Sequence, residues 1–370
     1  MMTINEALQS EAIAHRLCLT RYELNVAGKM LRVLNDADAE LSARLLIALE
    51  ELPRGNFTTD RIVSMLDSVR ELNREFIGTW YSSLTDELLA FSEYESGYQY
   101  SLFNALLPDA VRQKYPLFSI TSQQVYAAAT AEPFQGRLLK DWADNLEADR
   151  ITRIANAVRN GFLLGDTNEQ IVRNVRGTKA RGYKDGALEA SRRNASAVVR
   201  TAVSHTAAVA RDEFAAQNSD YIKGKKWLST LDTRTTEQCV IRDGKRYTMD
   251  GKPVGHRIPY GAGPGRLHWC CRSTETLITK SWREMGIDID EMPPGTRASM
   301  DGQVPADTTY LEWLKNQSAA RQDEILGPTR AKLMRDGGMA PESFYTDKGK
   351  FLTIEQLKKL DAKAFEEAGL

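Results

Sequence analysis

The residues best suited to chemistry fall in one stretch, Trp227 to Thr276. It holds Cys239, Cys270 and Cys271, and with them His256 and His268. A structural zinc site takes four Cys/His ligands at tetrahedral corners, as a rule from two close pairs. His268-x-x-Cys271 supplies one such pair, whereas Cys239 and His256 lie far apart and make no second. The other reading has Cys239 and Cys271 as buried apolar thiols under a small sheet, with His268 hydrogen-bonded, because free cysteine is among the most buried residue types. The spacing favours this second reading. It implies no metal and no cofactor. Trp227, Leu231, Val240, Leu267 and Ile278 would then form the apolar centre, covered by the preceding helix.

The same stretch carries Asp232, Asp243, His268 and Arg272, which can be drawn as a nuclease or transferase site. Both acids stand in turn sequences, Asp232-Thr-Arg234 and Arg242-Asp243-Gly244, where an Asp side chain commonly accepts from its own backbone. Arg234 or Arg272 is placed to pair with Asp232. The chain has no phosphate-binding glycine loop, serine-centred elbow or zinc-protease helix. We therefore expect no catalytic residue and a chain that is not an enzyme. The alternative is a nuclease or toxin-like activity carried by residues 223–282. His205, flanked by Ser204 and Thr206, is expected to be a hydrogen-bonded structural residue.

The elements around this stretch are mostly helices. Leu31, Leu34, Leu41, Leu45 and Leu49 form one stripe, closed by Pro53-Arg-Gly55. Ile62, Leu66, Val69, Phe76, Trp80, Leu84 and Leu88 form a second, with Thr59 or Asp60 as its N-cap. The aromatic run Tyr81, Phe91, Tyr94, Tyr98, Tyr100 and Phe103 could stack bases, but at helical spacing it reads as core. A brief extended segment is expected over 115–125. A helix follows from Leu138 to Gly161 or Gly165. Thr167-Asn-Glu-Gln170 has capping-box spacing and starts a helix that Gly177 stops. Residues 187–216 read as one long alanine-rich helix.

Within the stretch itself we expect short strands at 227–230, 245–248 and 273–278, a helix over 235–241, and a long loop over 254–265. A linker at Met292-Pro-Pro-Gly295 leads to a helical tail. That tail has a helix from Thr308, a break at Leu326-Gly-Pro328, and a capping box at Thr353 to Gln356. The fold expected is α+β and mostly α. It divides as a helical region 1–140, a helical shaft 141–222, an α+β module 223–282, and a linker with helical tail 283–370.

The 370 residues are 42% hydrophobic and 27% charged, which excludes a disordered chain. Four cysteines in so long a chain are no disulfide framework, and no window reaches the roughly 18 apolar residues of a membrane span. The opening residues show no signal peptide. The formal net charge of -1 argues against wholesale coating of nucleic acid. It is uneven, however. Residues 150–226 hold 15 Lys/Arg against 7 Asp/Glu, a net +8, which leaves −9 elsewhere. Such a segment suits a face that touches DNA or an acidic partner. It also suits a merely solvated helical face, and composition does not choose.

Trp227, Thr230, Asp232, Arg234, Thr235, Cys239, Arg242, Asp243, Gly244, His268, Cys271 and Arg272 stand in an order and spacing that make a specific pattern. Here the chain resembles the phage Mu F-like minor head proteins, also called head morphogenesis proteins. Trp269-Cys270 stand where the family pattern has Pro-Asn. The helices from Ile151 to Phe214 are similar to the family as well, while the first 140 residues carry no matching motif. The resemblance implies a low-copy protein of a tailed phage head, associated with the portal vertex. It implies the portal protein and a major capsid or scaffold protein as partners, and no membrane. It also implies that such proteins can contact or travel with the packaged genome; in this chain the basic segment 150–226 is the candidate face for double-stranded DNA. The location implied is the head interior near the portal, after assembly in the host cytoplasm.

Overall fold

The computed structural model describes residues 4–51, 64–281, 283–286, 296–305, 307–346 and 348–370. Readings at Pro53-Arg-Gly55, Thr59, Asp60, Ile62 and Met292 to Gly295 lie outside these. In order, the helices are α1 (Ile4–Glu50), α2 (Asp67–Leu106), α3 (Asp109–Lys114), α4 (Ser122–Ala131), α5 (Leu139–Leu164), α6 (Asn168–Arg176) and α7 (Glu189–Gln217). Next come β1 (Ile222–Leu228), α8 (Glu237–Val240), β2 (Arg246–Tyr247), β3 (Pro253–Val254) and β4 (Thr274–Thr279). Then follow β5 (Thr296–Ser299), β6 (Gly302–Pro305), α9 (Tyr310–Lys315), α10 (Ala319–Leu326), α11 (Pro328–Arg335), α12 (Ile354–Leu360) and α13 (Ala362–Glu367). The class is the expected α+β, mostly α.

The chain forms two compact units that interleave in sequence. One comprises residues 1–20, 95–121 and 208–370, and the other residues 21–94 and 122–207. In the all-helical unit, the stripe Leu41, Leu45 and Leu49 of α1 is buried with Leu66 and Val69. Ile154 and Val158 of α5 and Ile171 and Val175 of α6 complete this core. The boundaries follow local chemistry. Gly165 caps α5 in the left-handed conformation. Thr167 and Gln170 close a reciprocal capping box on α6, which ends at Gly177. Gly161 lets α6 approach closely, since a Cβ there would lie 2.4 Å from Ile171 Cγ1. His205 is buried, with Nε2 3.0 Å from the Ala129 carbonyl, as a structural histidine should be.

The other unit contains the sheet, ordered β3-β2-β1-β4 and antiparallel throughout. β1 begins at Ile222, earlier than expected, and pairs with β4 along its length with an irregularity between Ile222 and Gly224. Several other expectations need correction. Tyr115 is extended and residues 116–121 are non-regular, but no strand forms there and α4 already contains Val125, so the extended segment is shorter than 115–125. Val254 pairs with Arg246 in a β2–β3 hairpin and is not loop. The tail contains a second hairpin, β5–β6, joined by register Ser299 to Gly302. These strands are four residues each, too short for alternation to stand out in sequence.

The tail helices form a core of their own. Tyr310, Trp313, Leu314, Leu326, Leu333, Phe344, Leu357 and Phe365 bury together. Leu231 and Val240 of the module join this cluster. They therefore do not form the module's own centre with Trp227, as the sequence had suggested. No helix among the described residues is long and apolar enough to cross a membrane.

Candidate functional site

β1 and β4 are the rigid base of the module. Trp227 on β1 is buried with Cys239, Tyr247 and Cys271, and Tyr260 and Leu267 pack on this group. Ile278 is not part of it. Trp227 lies edge-on to Tyr260 at 5.8 Å between ring centroids. α8 is a single helical turn, shorter than the two turns expected, and it carries Cys239. The segment before β4 carries His268 and Cys271. Trp227 Nε1 donates to Ser229 Oγ, which donates to the Cys239 carbonyl at 2.8 Å, so strand and helical turn are tied beside the thiols.

Cys239, His268 and Cys271 meet. The two sulfurs are 3.7 Å apart, and Cys239 Sγ is 3.3 Å from His268 Nε2. Both cysteines are buried, and no disulfide joins any of the four. His268 Nδ1 is 3.0 Å from the Trp269 carbonyl. A carbonyl can only accept, so Nδ1 carries the proton and Nε2 faces the sulfurs and Thr236 Oγ1, 2.9 Å away. The thiols are electrostatically unequal. Hydrogen bonding to Cys271, reinforced by burial, pushes the Cys239 thiol well up. The hydrogen bond from Cys239, helped by His268 and opposed by burial, holds Cys271 well below the usual thiol range. At His268 burial lowers the imidazole, but the hydrogen bond and charge of Cys271 outweigh it and the net shift is upward.

His256 is elsewhere. Its Nε2 donates to the Arg246 carbonyl at 2.8 Å, and its Nδ1 accepts from the Ile258 amide at 3.2 Å. The suggested grouping of His256 with the cysteines is thus corrected: it braces the β2–β3 hairpin. Cys270, at φ 54°, is also outside the cluster.

The acids are held as turn chemistry predicts. Asp232 Oδ1 accepts from the Arg234 amide at 3.0 Å, and Arg272 grips both carboxylate oxygens. Of the two arginines offered for Asp232, Arg272 is the partner, while Arg234 is exposed beside a groove of about 340 Å³. Thr235 Oγ1 donates to the Thr230 carbonyl at 2.5 Å, and Thr230 Oγ1 donates to the Arg272 carbonyl at 3.1 Å. Asp243 accepts from the Ser229 amide at 2.6 Å and the Tyr310 amide at 2.7 Å. Arg242 donates to the Pro259 and Gln238 carbonyls and stacks over Trp227 at 5.8 Å. Gly244 takes φ 74° to turn the chain back toward β2. Asp232, Asp243, His268 and Arg272 therefore do not converge on one cavity as an acid–base constellation.

Two groups of site residues were not foreseen. In the helical unit, Asp38 of α1 is wholly buried and receives Arg150 of α5 and Arg192 of α7, with Asn73 on Arg150 Nε at 2.8 Å. In the module, Lys225 of β1 is buried against Asp212 and lies 3.8 Å from Glu275, which Tyr260 Oη reaches at 2.5 Å. Each pairing spans a long sequence gap, so no local spacing signals it. Together they internalise several charges of the basic segment. Its exposed cations in the helical unit are Arg159, Arg173, Lys179, Arg181, Lys184 and Arg193, gathered between α5 and the start of α7.

Fold and site define a mostly helical protein whose small antiparallel module is locked by turn carboxylates and closed by a Cys/His cluster. Residues 152–276 match the family model of the Phage Mu protein F like proteins. Over these residues, which take in α7 and most of the module, the chain is similar to this phage head morphogenesis family. No curated protein and no solved structure matches it.

Proposed function

We propose that this chain is a minor protein of a tailed-phage head that docks at the portal vertex and acts in head morphogenesis. The carrying observation is the family match over residues 152–276, which takes in both α7 and the module. Two features support a scaffold that binds partners through its helices. α1 and α2 are 47 and 40 residues long, and exposed Leu163 and Leu164 end α5 as an apolar pair. The partners proposed are the portal protein and a major capsid or scaffold protein. The exposed cations from Arg159 to Arg193 offer packaged duplex DNA a phosphate-binding surface.

The module serves structure in this reading, not catalysis. Both Asp232 and Asp243 spend their oxygens on backbone amides or Arg272, and Cys271 is shielded from solvent, whereas a nucleophilic thiolate needs access. Cross-linking mass spectrometry on purified heads tests the assignment. The expected result is cross-links between this chain and the portal protein. Heads that contain the chain but cross-link it only to remote shell proteins would overturn the portal placement.

A further inference from the structure

We propose that Cys239 Sγ, His268 Nε2 and Cys271 Sγ together bind one zinc ion, which staples α8 to the segment entering β4. Two of the three donor separations match a zinc tetrahedron. With Zn–S near 2.3 Å and Zn–N near 2.0–2.1 Å, tetrahedral corners put two sulfurs about 3.8 Å apart and sulfur and nitrogen about 3.5 Å apart. The observed separations are 3.7 Å and 3.3 Å. All three donor atoms lie within 4.8 Å of one another.

Histidine orientation is a second, independent sign. The Nδ1–H of His268 is anchored on the Trp269 carbonyl, which aims the Nε2 lone pair at the sulfurs. Metal-bound histidines almost always donate their other ring N–H in this way. The donor set selects the metal, since two sulfurs and an imidazole suit zinc rather than magnesium or calcium. Among the described residues no fourth Cys, His, Asp or Glu joins the set. The fourth corner falls to solvent water on the side of exposed Thr236, whose Oγ1 is 2.9 Å from Nε2.

Two other uses of the cluster fit less well. A disulfide needs sulfurs at about 2.05 Å, and the observed gap holds the pair open. A nucleophilic Cys271 would have to reach substrate from a fully buried position. A metal needs no such access once bound, and the sheet is small enough to need a staple. The proposal departs from the sequence-based reading of plain apolar thiols because linear spacing could not show Cys239 meeting His268 and Cys271.

The test uses the full chain, purified without a histidine tag, with zinc counted by inductively coupled plasma mass spectrometry. Wild type is expected to carry roughly one zinc per chain. After exchange into cobalt it should show sulfur-to-cobalt charge-transfer absorption. Cys239→Ser and Cys271→Ser should lose the metal, while Cys270→Ser and His256→Ala keep it. A chelator should lower the wild-type melting temperature. Wild-type protein without zinc and without the cobalt signal on reconstitution overturns the proposal, as does a Cys239–Cys271 disulfide in the native protein. Zinc held at full stoichiometry by Cys239→Ser and Cys271→Ser also overturns it. The count is read on the isolated chain, so its failure leaves the head assignment standing.

Discussion

Asp243 reaches from the module into the tail, where one of its oxygens accepts the backbone amide of Tyr310 at 2.7 Å. Its other oxygen holds the Ser229 amide at 2.6 Å. A single carboxylate thus ends β1 and starts α9, and the tail is part of the fold of the module. Gly349 agrees: a Cβ there would lie 2.7 Å from Gln238 Cα in α8.

Asp243→Ala would strand two amides in a buried site. At roughly 1–3 kcal/mol for each unsatisfied group, the expected loss is about 3 kcal/mol. Asp243→Asn keeps one acceptor and should cost less. Urea denaturation of the full chain measures both. A loss below about 1 kcal/mol for the alanine variant would show that water satisfies these amides and that the carboxylate is dispensable.

Asp232 sets an acid limit on the module. Burial alone would raise its carboxyl, but the hydrogen bonds and charge of Arg272, with the Arg234 amide, hold it below the usual value. A depressed folded value contributes stability that is present above the ordinary carboxylate range and lost as pH falls through the folded value. Asp232→Asn should therefore be less stable than wild type at neutral pH, with the gap narrowing as pH falls through and below the ordinary carboxylate range. Urea midpoints for both proteins across that range check the sign. A gap that stays constant with pH would mean that the pairing with Arg272 does not govern the acid response.

Much of this architecture is legible in the chain because it is local. The capping boxes at Thr167 and Thr353 sit where their Ser/Thr-x-x-Gln spacing puts them. The stripes Leu34 to Leu49 and Trp80 to Leu88 are buried as their period requires. The Asp232 and Asp243 turns hold themselves as turn chemistry says. What sequence hides is which distant residues meet. Asp38 waits for Arg150 and Arg192, Leu231 and Val240 turn toward Trp313, and Cys239 closes on His268. His256, nearer to Cys239 along the chain, faces another strand. Short hairpins such as β5–β6 are also invisible, since their stability comes from neighbours and not from their own alternation.

The buried triad in the helical unit is expected to be its most sensitive point. Asp38 has no exposed side-chain surface, and its single carboxylate bridges Arg150 and Arg192. Removing one partner of a buried pair leaves uncompensated charge and costs about 3–5 kcal/mol. Asp38→Ala should lose at least that, because two guanidiniums are stranded. Asp38→Asn keeps an acceptor but not the charge and should fall between. Chemical denaturation with a probe in this unit, such as the fluorescence of Trp80, gives the numbers. A near-neutral Asp38→Ala would mean that water enters to solvate both arginines.

The proposed DNA surface is testable residue by residue, because the buried arginines are already committed to Asp38. Lys179, Arg181 and Lys184 are exposed on the segment between α6 and α7. They should bind duplex phosphates without sequence preference, since nothing near them reads base edges. Each phosphate contact contributes roughly 0.9 to the slope of log affinity against log salt. Replacing all three by alanine should weaken binding uniformly across sequences and reduce that slope by about 2–3. Fluorescence anisotropy of a labelled duplex with the full chain, at several salt concentrations, measures both quantities. Asp185 should be left in place, because its carboxylate accepts from the Thr178 amide and hydroxyl at 2.8 Å and shapes the loop. If wild type fails to bind at low salt, or the triple variant keeps the wild-type slope, this loop is a solvated face and the partner of the helical unit is a protein.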